Sequence, residues 1–312
     1  IRMDRDSIDW KGYWAAVPTP FVDDDKVDFE SLDQLTSWYI EEGLHGLFVN
    51  GTTGEWFSQT FSERLAVAET VLGAVESHVN VVIGVTALTA KESIEIGNHA
   101  MENGAVGIAL SVPPYVKPLE NETVAFYEKI SRSVEAPIMM YNWPHGTSID
   151  IGTELADRLS DIEGVVAFKD STPSADQFFA TAERILDRVR VFGNFMSLRG
   201  LSFLKETGGD GMIGGGSLFG RADAQYWEDV WVGDWAAAEK HAVATESLFN
   251  SLWAPGGWRG LHGGYQSELK AAMKMLSIPG GGAVRSPRLP ITDEDDLSAI
   301  RLALVQAGLL KN

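Results

Sequence analysis

Eight times between residues 12 and 231 the chain repeats one pattern: a short apolar run, a turn, then a longer amphipathic stretch. Apolar runs of five to eight residues read as strands covered on both faces. Stretches with apolar residues at three- and four-residue spacing read as helices. The spacing predicts strands at 12–19, 44–50, 79–85, 106–112, 137–142, 164–169, 189–193 and 210–214. Helices are predicted at 29–42, 61–77, 90–103, 120–134, 151–160, 174–186, 197–207 and 219–231. Strict alternation of this kind builds a parallel sheet with helices outside it, and eight units is the number that closes a (β/α)8 TIM barrel. A doubly wound open sheet is the alternative, weakened because no Gly-x-Gly-x-x-Gly follows the first strand. Further helical patterns at 234–253, 265–277 and 293–308 flank a Gly/Trp-rich stretch, 253–264. The domain reading is a barrel over residues 1–232 carrying the active site, with a helical region over 233–312 packed on it. Asp23-Asp24-Asp25 reads as a solvated turn.

A barrel places its chemistry at the C-terminal ends of the strands. Lys169 closes the apolar run Gly164-Val165-Val166-Ala167-Phe168. Alternation puts Val165, Ala167 and Lys169 on one face and Val166 and Phe168 on the other. An amine held against apolar walls loses hydration, which lowers its pKa, and a neutral amine can attack a carbonyl to form a Schiff base. The bland alternative is a lysine that ends a strand and reaches for water. Tyr141 ends the fifth strand on the same face as Met139. It is either a proton relay for imine chemistry or an aromatic plug. Gly51-Thr52-Thr53-Gly54 follows the second strand, and hydroxyls with close backbone N–H groups suit a carboxylate. As a bare motif it is also an ordinary turn. Tyr115 follows the fourth strand, Gly193 the seventh, and Ile213-Gly214-Gly215-Gly216 the eighth.

The charge narrows the partners. The chain has 44 acidic residues against 25 Lys and Arg, a formal net charge of −19, which argues against nucleic acid and anionic membrane. No apolar run reaches the ~20 residues of a membrane span. There are no cysteines. Ile1 to Asp9 is charged and lacks a signal-peptide core, so the expected location is the cytoplasm. No His/Asp/Glu grouping has metal-ligand spacing.

Gly51-Thr52-Thr53-Gly54-Glu55, Tyr141-Asn142-x-Pro144 and Phe168-Lys169-Asp170-Ser171 together resemble the dihydrodipicolinate synthase / N-acetylneuraminate lyase family. The spacings, 88 residues from Thr53 to Tyr141 and 28 more to Lys169, are similar too. Gly208 to Gly214 and Val284 to Pro290 extend the likeness over nearly the whole chain. The resemblance implies a class I lyase or aldolase. Lys169 would form a Schiff base with pyruvate or another 2-oxo acid, and Tyr141 would shuttle protons with Thr53 in its relay. Thr52 and Thr53, with Gly51, would bind the carboxylate, and Ile213 would offer a carbonyl near the lysine. Neither metal nor organic cofactor is implied, and the expected assembly is a homodimer or homotetramer.

Departures from the family pattern bear on the second substrate. The synthases carry an arginine two residues after the Tyr-Asn-x-Pro element, to hold the aldehyde's carboxylate; this chain has Gly146 there. They carry paired tyrosines after strand four; here Pro113-Pro114-Tyr115-Val116 keeps one. Sialic acid lyases use acidic side chains after the glycine of strand seven; here Gly193-Asn194-Phe195-Met196 stands instead. Trp56, Phe57, Trp143 and Phe195 put bulky groups on mouth loops, either lining a less polar pocket or packing beneath the loops. His145 is read as a donor to substrate or as a surface residue. Glu55 is read as a brace for the threonine turn, and His45 and His262 are given no role. The favoured reaction is cleavage, dehydration or condensation of a 2-keto-3-deoxy acid with an aldehyde partner. Dihydrodipicolinate synthesis is the alternative, and a non-catalytic oxo-acid-binding protein the rival from another class.

Overall fold

A computed structural model describes residues 3–22, 25–75 and 79–311. The chain forms β1 (Gly12–Ala16), α1 (Phe29–Glu41), β2 (Gly46–Val49), α2 (Phe61–Val75), β3 (Asn80–Gly84), α3 (Ala90–Glu102), β4 (Gly107–Ser111) and α4 (Glu120–Ser133). It continues through β5 (Ile138–Asn142), a short α5 (Pro144–Thr147), α6 (Thr153–Leu159), β6 (Val165–Asp170), α7 (Ala175–Ile185), β7 (Arg190–Phe192), α8 (Leu198–Glu206), β8 (Gly211–Gly215) and α9 (Arg221–Val232). Three helices follow, α10 (Trp235–Leu252), α11 (Tyr265–Met275) and α12 (Glu294–Gln306). The eight strands pair in sequence order, and β8 returns in parallel to β1, closing the barrel. The TIM barrel expected from the sequence is the fold.

Strand residues are buried on both faces, which is why their runs read as continuous apolar stretches. Outward side chains pack under the helices in one large core. Inward ones form a second cluster that fills the barrel. Trp10 and Trp14 meet edge-on at 5.7 Å, and Trp14 meets Phe192 at 5.2 Å. The interior is therefore a packed plug, and only its upper layer is open to chemistry. α10 packs on α8 and α9, and α12 on α10 and α11, so the C-terminal helices sit against the barrel's outer ring.

Three local readings change. The first strand stops at Ala16 instead of running to Thr19, because Pro18 and Pro20 have no N–H for a ladder. The alternation expected along β6 is broken by a register shift opposite Ile138/Met139. Val166 and Ala167 therefore both enter the barrel interior, while Val165 faces outward with Phe168. The Pro144–Thr147 turn of helix was not expected; a proline at its start needs no N–H partner. Of the acidic turn, Asp25 pairs with Arg285 at 3.0 Å, while Asp23 and Asp24 lie outside the described residues, as does the predicted end of α2 past residue 75. Among the described residues no helix is long and apolar enough to cross a membrane.

Candidate active site

In the β5/β6 register Tyr141 lies beside Lys169. Both point inward at the top of the filled barrel. The ammonium nitrogen of Lys169 is 3.9 Å from the centre of the Tyr141 ring and 5.9 Å from that of Phe48. Lys169 is 7% exposed, and this burial pulls its pKa down to about 7, against the opposing charge of Asp170. Its Nζ donates to Ser171 Oγ at 2.8 Å. Phe48 meets Tyr141 edge-on at 5.8 Å, fixing the plane of the phenol. Burial pushes the Tyr141 phenol up to about 12, and hydrogen bonds to Thr52 and Ser171 hold it back. Ser171, the last residue of the Phe168-Lys169-Asp170-Ser171 motif, thus accepts from the amine and lies close enough to act on the phenol.

The threonine that reaches Tyr141 is Thr52, with Oγ1 3.2 Å from the phenol oxygen. Thr53, expected in that position, instead has its side chain near Tyr265 of α11. Asn50 and Glu55, at the two ends of the turn, both have positive φ (57° and 54°). Gly51 is required because a Cβ there would lie 2.6 Å from the Phe48 ring. The Thr52 hydroxyl stands at the mouth beside Tyr141, and a hydroxyl with close backbone N–H groups suits a carboxylate.

Other expected positions are distributed differently. Ile213 lies in the interior cluster beneath the mouth, and the hydrogen bond Lys169 makes goes to Ser171 rather than to the Ile213 carbonyl. Gly193 turns toward helix α7, where a Cβ would lie 2.2 Å from the Phe178 ring; its glycine is explained by packing. Phe195 is fully buried between Phe178, Phe203 and Trp227, away from the mouth. Trp56 stacks over Arg64, and Phe57 lies outside near Arg288. Of the four bulky groups only Trp143 packs against the interior cluster. Its indole occupies the space beside Gly146, where a Cβ would fall 2.3 Å from the ring. His145 sits on the rim, 5.5 Å from Trp143 and 6.2 Å from Trp258 of the Gly/Trp-rich loop. Tyr115 is 90% exposed with φ 75°, and it does not enter its own barrel.

Two groups behind the site complete it. Asp170 faces away from the mouth. Its Oδ1 accepts from Asn142 Nδ2 (3.0 Å) and the Thr172 N–H (2.9 Å), and burial raises it to about 7. Glu55 was expected to brace its own turn. Instead it reaches the C-terminal region, accepting from Lys270 Nζ at 2.5 Å and the Arg285 N–H at 3.2 Å.

A buried lysine of lowered basicity, set beside a phenol at the C-terminal mouth of an eight-stranded barrel, defines a Schiff-base-forming lyase. The chain belongs to the dihydrodipicolinate synthetase family, whose sequence profile matches residues 9–306. It is 30% identical over 289 residues to an uncharacterized DapA-like lyase of Rhizobium meliloti, covering 91% of this chain and 92% of that protein. It is also 30% identical over 286 residues to a 4-hydroxy-tetrahydrodipicolinate synthase of Oceanobacillus iheyensis, covering 90% and 92%. Among solved structures, the prophage protein YagE of E. coli K12, in complex with pyruvate, matches with TM-score 0.85 and 25% identity over 96% of this chain and 99% of that one. The dihydrodipicolinate synthase of Aquifex aeolicus matches with TM-score 0.84 and 26% identity, covering 97% and 100%.

Proposed function

We propose that this lyase forms its Schiff base between Lys169 and pyruvate or a related 2-oxo acid, and that it joins or releases an aldehyde other than the one used in dihydrodipicolinate synthesis. The observation that carries the first half is the amine. With Lys169 near 7, a large share is neutral at physiological pH and able to attack. Attack on the keto carbon gives a carbinolamine, which loses water to give the iminium. The adjacent carbon then loses a proton to give an enamine, which attacks an aldehyde carbon to form the C–C bond. Hydrolysis frees the lysine, and the reverse sequence cleaves a 2-keto-3-deoxy acid. Tyr141 is the proposed proton carrier, and Thr52, which touches it, its relay partner. Thr52, Thr53 and the backbone from Gly51 are the proposed carboxylate cradle. The pyruvate bound to YagE supports the same oxo acid here.

The second half rests on Trp143 and Gly146. Where a cationic side chain would hold an aldehyde's carboxylate, the indole of Trp143 leaves no room for a Cβ. This favours a second substrate that is apolar or short on that side, with His145 on the rim to meet a polar end. The names of relatives such as the Oceanobacillus synthase support the second reading, turnover of pyruvate with aspartate semialdehyde. The division at residue 232 is proposed as topological only, since the site draws on both sides of it. A homodimer or homotetramer in the cytoplasm is proposed as well. It is supported by the exposed, positive-φ Tyr115 beside exposed Val116 and Leu119.

Borohydride reduction with pyruvate tests this reading. We expect a stable adduct on the Lys169 peptide. Lys169→Ala should lose the adduct and more than about 10³-fold of turnover, a small part of a typical enzymatic acceleration. No adduct with any 2-oxo acid would leave a binding protein. Turnover with aspartate semialdehyde would restore the synthase reading. A 34 kDa species in sedimentation of the same sample would refute the assembly.

A further inference from the structure

The C-terminal region puts one side chain inside the mouth. Tyr265 is the first residue of α11, and its ring lies 5.3 Å from that of Trp253, which itself packs on Phe249 at 5.7 Å. From this anchor the phenol reaches the last residue of β8. A Cβ on Gly215 would lie 1.9 Å from the Tyr265 hydroxyl. Gly215 shares the inward face with Ile213, two residues earlier, and pairs with Ala16 as Ile213 pairs with Trp14. The hydroxyl therefore stands in the barrel mouth, one layer above Ile213.

There the side chain of Thr53 lies close enough to favour the phenolate, and Tyr141 close enough for the two phenols to sense each other's charge. The neighbouring Gln266 donates to the Thr52 carbonyl at 2.8 Å and accepts from Arg288 Nε at 2.7 Å, which pins the start of α11 to the same turn. Each threonine of the Gly-Thr-Thr-Gly turn thus has its own tyrosine. Thr52 takes Tyr141 from the barrel, and Thr53 takes Tyr265 from the helical region.

We propose that Tyr265 is a positioning residue for the carboxylate of the 2-oxo acid: its hydroxyl fixes that of Thr53, so that the single Thr53 proton is aimed into the mouth. The proposal rests on the Schiff-base reading and adds to it a residue from outside the barrel. A threonine hydroxyl has one proton and two lone pairs, and it rotates unless a partner fixes it. When Tyr265 donates to one lone pair, the Thr53 proton is left for an anion, and hydrogen bonds in series strengthen one another. Burial holds the Tyr265 phenol well above its ordinary range. It stays protonated through neutral pH, which suits orientation and not proton abstraction.

Two variants of the full chain test this, Tyr265→Phe and Gly215→Ala. The first deletes the hydroxyl and keeps the ring. The second displaces the hydroxyl from the opposite side, at a residue whose φ is not positive. The readouts are the pyruvate concentration that half-saturates borohydride trapping on Lys169, and the pH profile of turnover with an aldehyde found by screening. In each variant we expect half-saturation to rise about tenfold, the loss of one hydrogen bond to a charged group. The rate at saturation should stay within about twofold and the pH profile should not move. The double variant should match the single ones, because both remove the same contact. Unchanged half-saturation in Tyr265→Phe overturns the proposal. So does a fall in the saturated rate with a shifted alkaline limb, which would make Tyr265 a proton carrier. Failure of wild-type protein to form any adduct is a different result, and it removes the Schiff-base reading itself.

Discussion

Lys169 and Asp170 are consecutive in the chain and face opposite sides of one sheet, yet burial brings both to about 7. The signs are opposite. Burial favours the neutral amine, so the nucleophile appears as pH rises through about 7. The cost of burying the ammonium is full below that value and fades as pH approaches ~10.4, the free-lysine value. For Asp170 burial favours the protonated acid, so its cost is absent below ~3.9 and full above about 7. The charge of Asp170 opposes the lowering of Lys169, so Asp170→Asn should lower Lys169 further. The acid limb of kcat/KM should then move toward acid by roughly one unit or less. The substitution keeps Oδ1, which makes both hydrogen bonds, and replaces Oδ2, which has no partner. A limb that stays in place, read from pH–rate profiles, would show that Asp170 does not tune the amine. At this scale the sequence was half legible. A lysine at the end of an apolar run announces its own desolvation, because burial follows from the strand. Which of two adjacent threonines meets Tyr141 does not, because a glycine-bounded turn has no periodicity to read.

Among elements, the loop from β5 into α5 sets the shape of the mouth. Trp143 caps the short helix, and its indole lies across Gly146 into the interior cluster that includes Tyr141 and Ile213. Gly146→Ala would place a methyl group 2.3 Å from the indole. The ring must shift, and overpacking of this kind costs about 1–3 kcal/mol. If Trp143 walls the second-substrate pocket, KM for the aldehyde should rise about tenfold, the lower part of that range. Half-saturation of pyruvate trapping should not change. Loss of thermal stability with both constants intact would mean that Trp143 only packs. The strands and helices were largely readable, because their periods, 2.0 and 3.6, come from backbone geometry. The exceptions have local causes. The β6 register shift leaves no mark in Val165-Val166-Ala167, where all three residues suit either face. Phe195 looked like a mouth residue because it follows a strand, but Gly193 turns the chain so that helices α7 to α9 cover it.

At the scale of the whole molecule, the parts that escaped sequence reading are those joined over long separations. Tyr265, Lys270 and Arg285 all lie in the C-terminal region, and all act on the turn at residues 51–55. Helical spacing places Lys270 within a helix but cannot say that it meets Glu55, 215 residues away. That pair is fully buried, with Glu55 held in a left-handed conformation. Lys270 also donates to the Thr19 carbonyl at 2.7 Å and lies over the Phe21 ring at 4.5 Å. Burial pushes its pKa down, and Glu55 opposes that. In a chain with 25 basic residues against 44 acidic ones, an interior lysine is a costly placement unless it fixes something. Breaking a buried pair by removing one charge costs about 3–5 kcal/mol, whereas replacing both ions with apolar groups of similar volume is often neutral. Glu55→Gln should therefore lower unfolding stability by about that amount, read by denaturant titration, and Glu55→Leu with Lys270→Met should recover most of it. A cost below about 1 kcal/mol for the single variant would mean that water reaches the pair and that it behaves as a surface ion pair. The recovered double variant also separates stability from geometry. It still lacks the carboxylate that accepts the Arg285 N–H, so the turn loses one tether to the C-terminal region while the fold is restored. Pyruvate should then half-saturate trapping at a higher concentration in the double variant than in wild type. Equal values would show that Tyr265 and Gln266 alone hold the turn in register with the mouth.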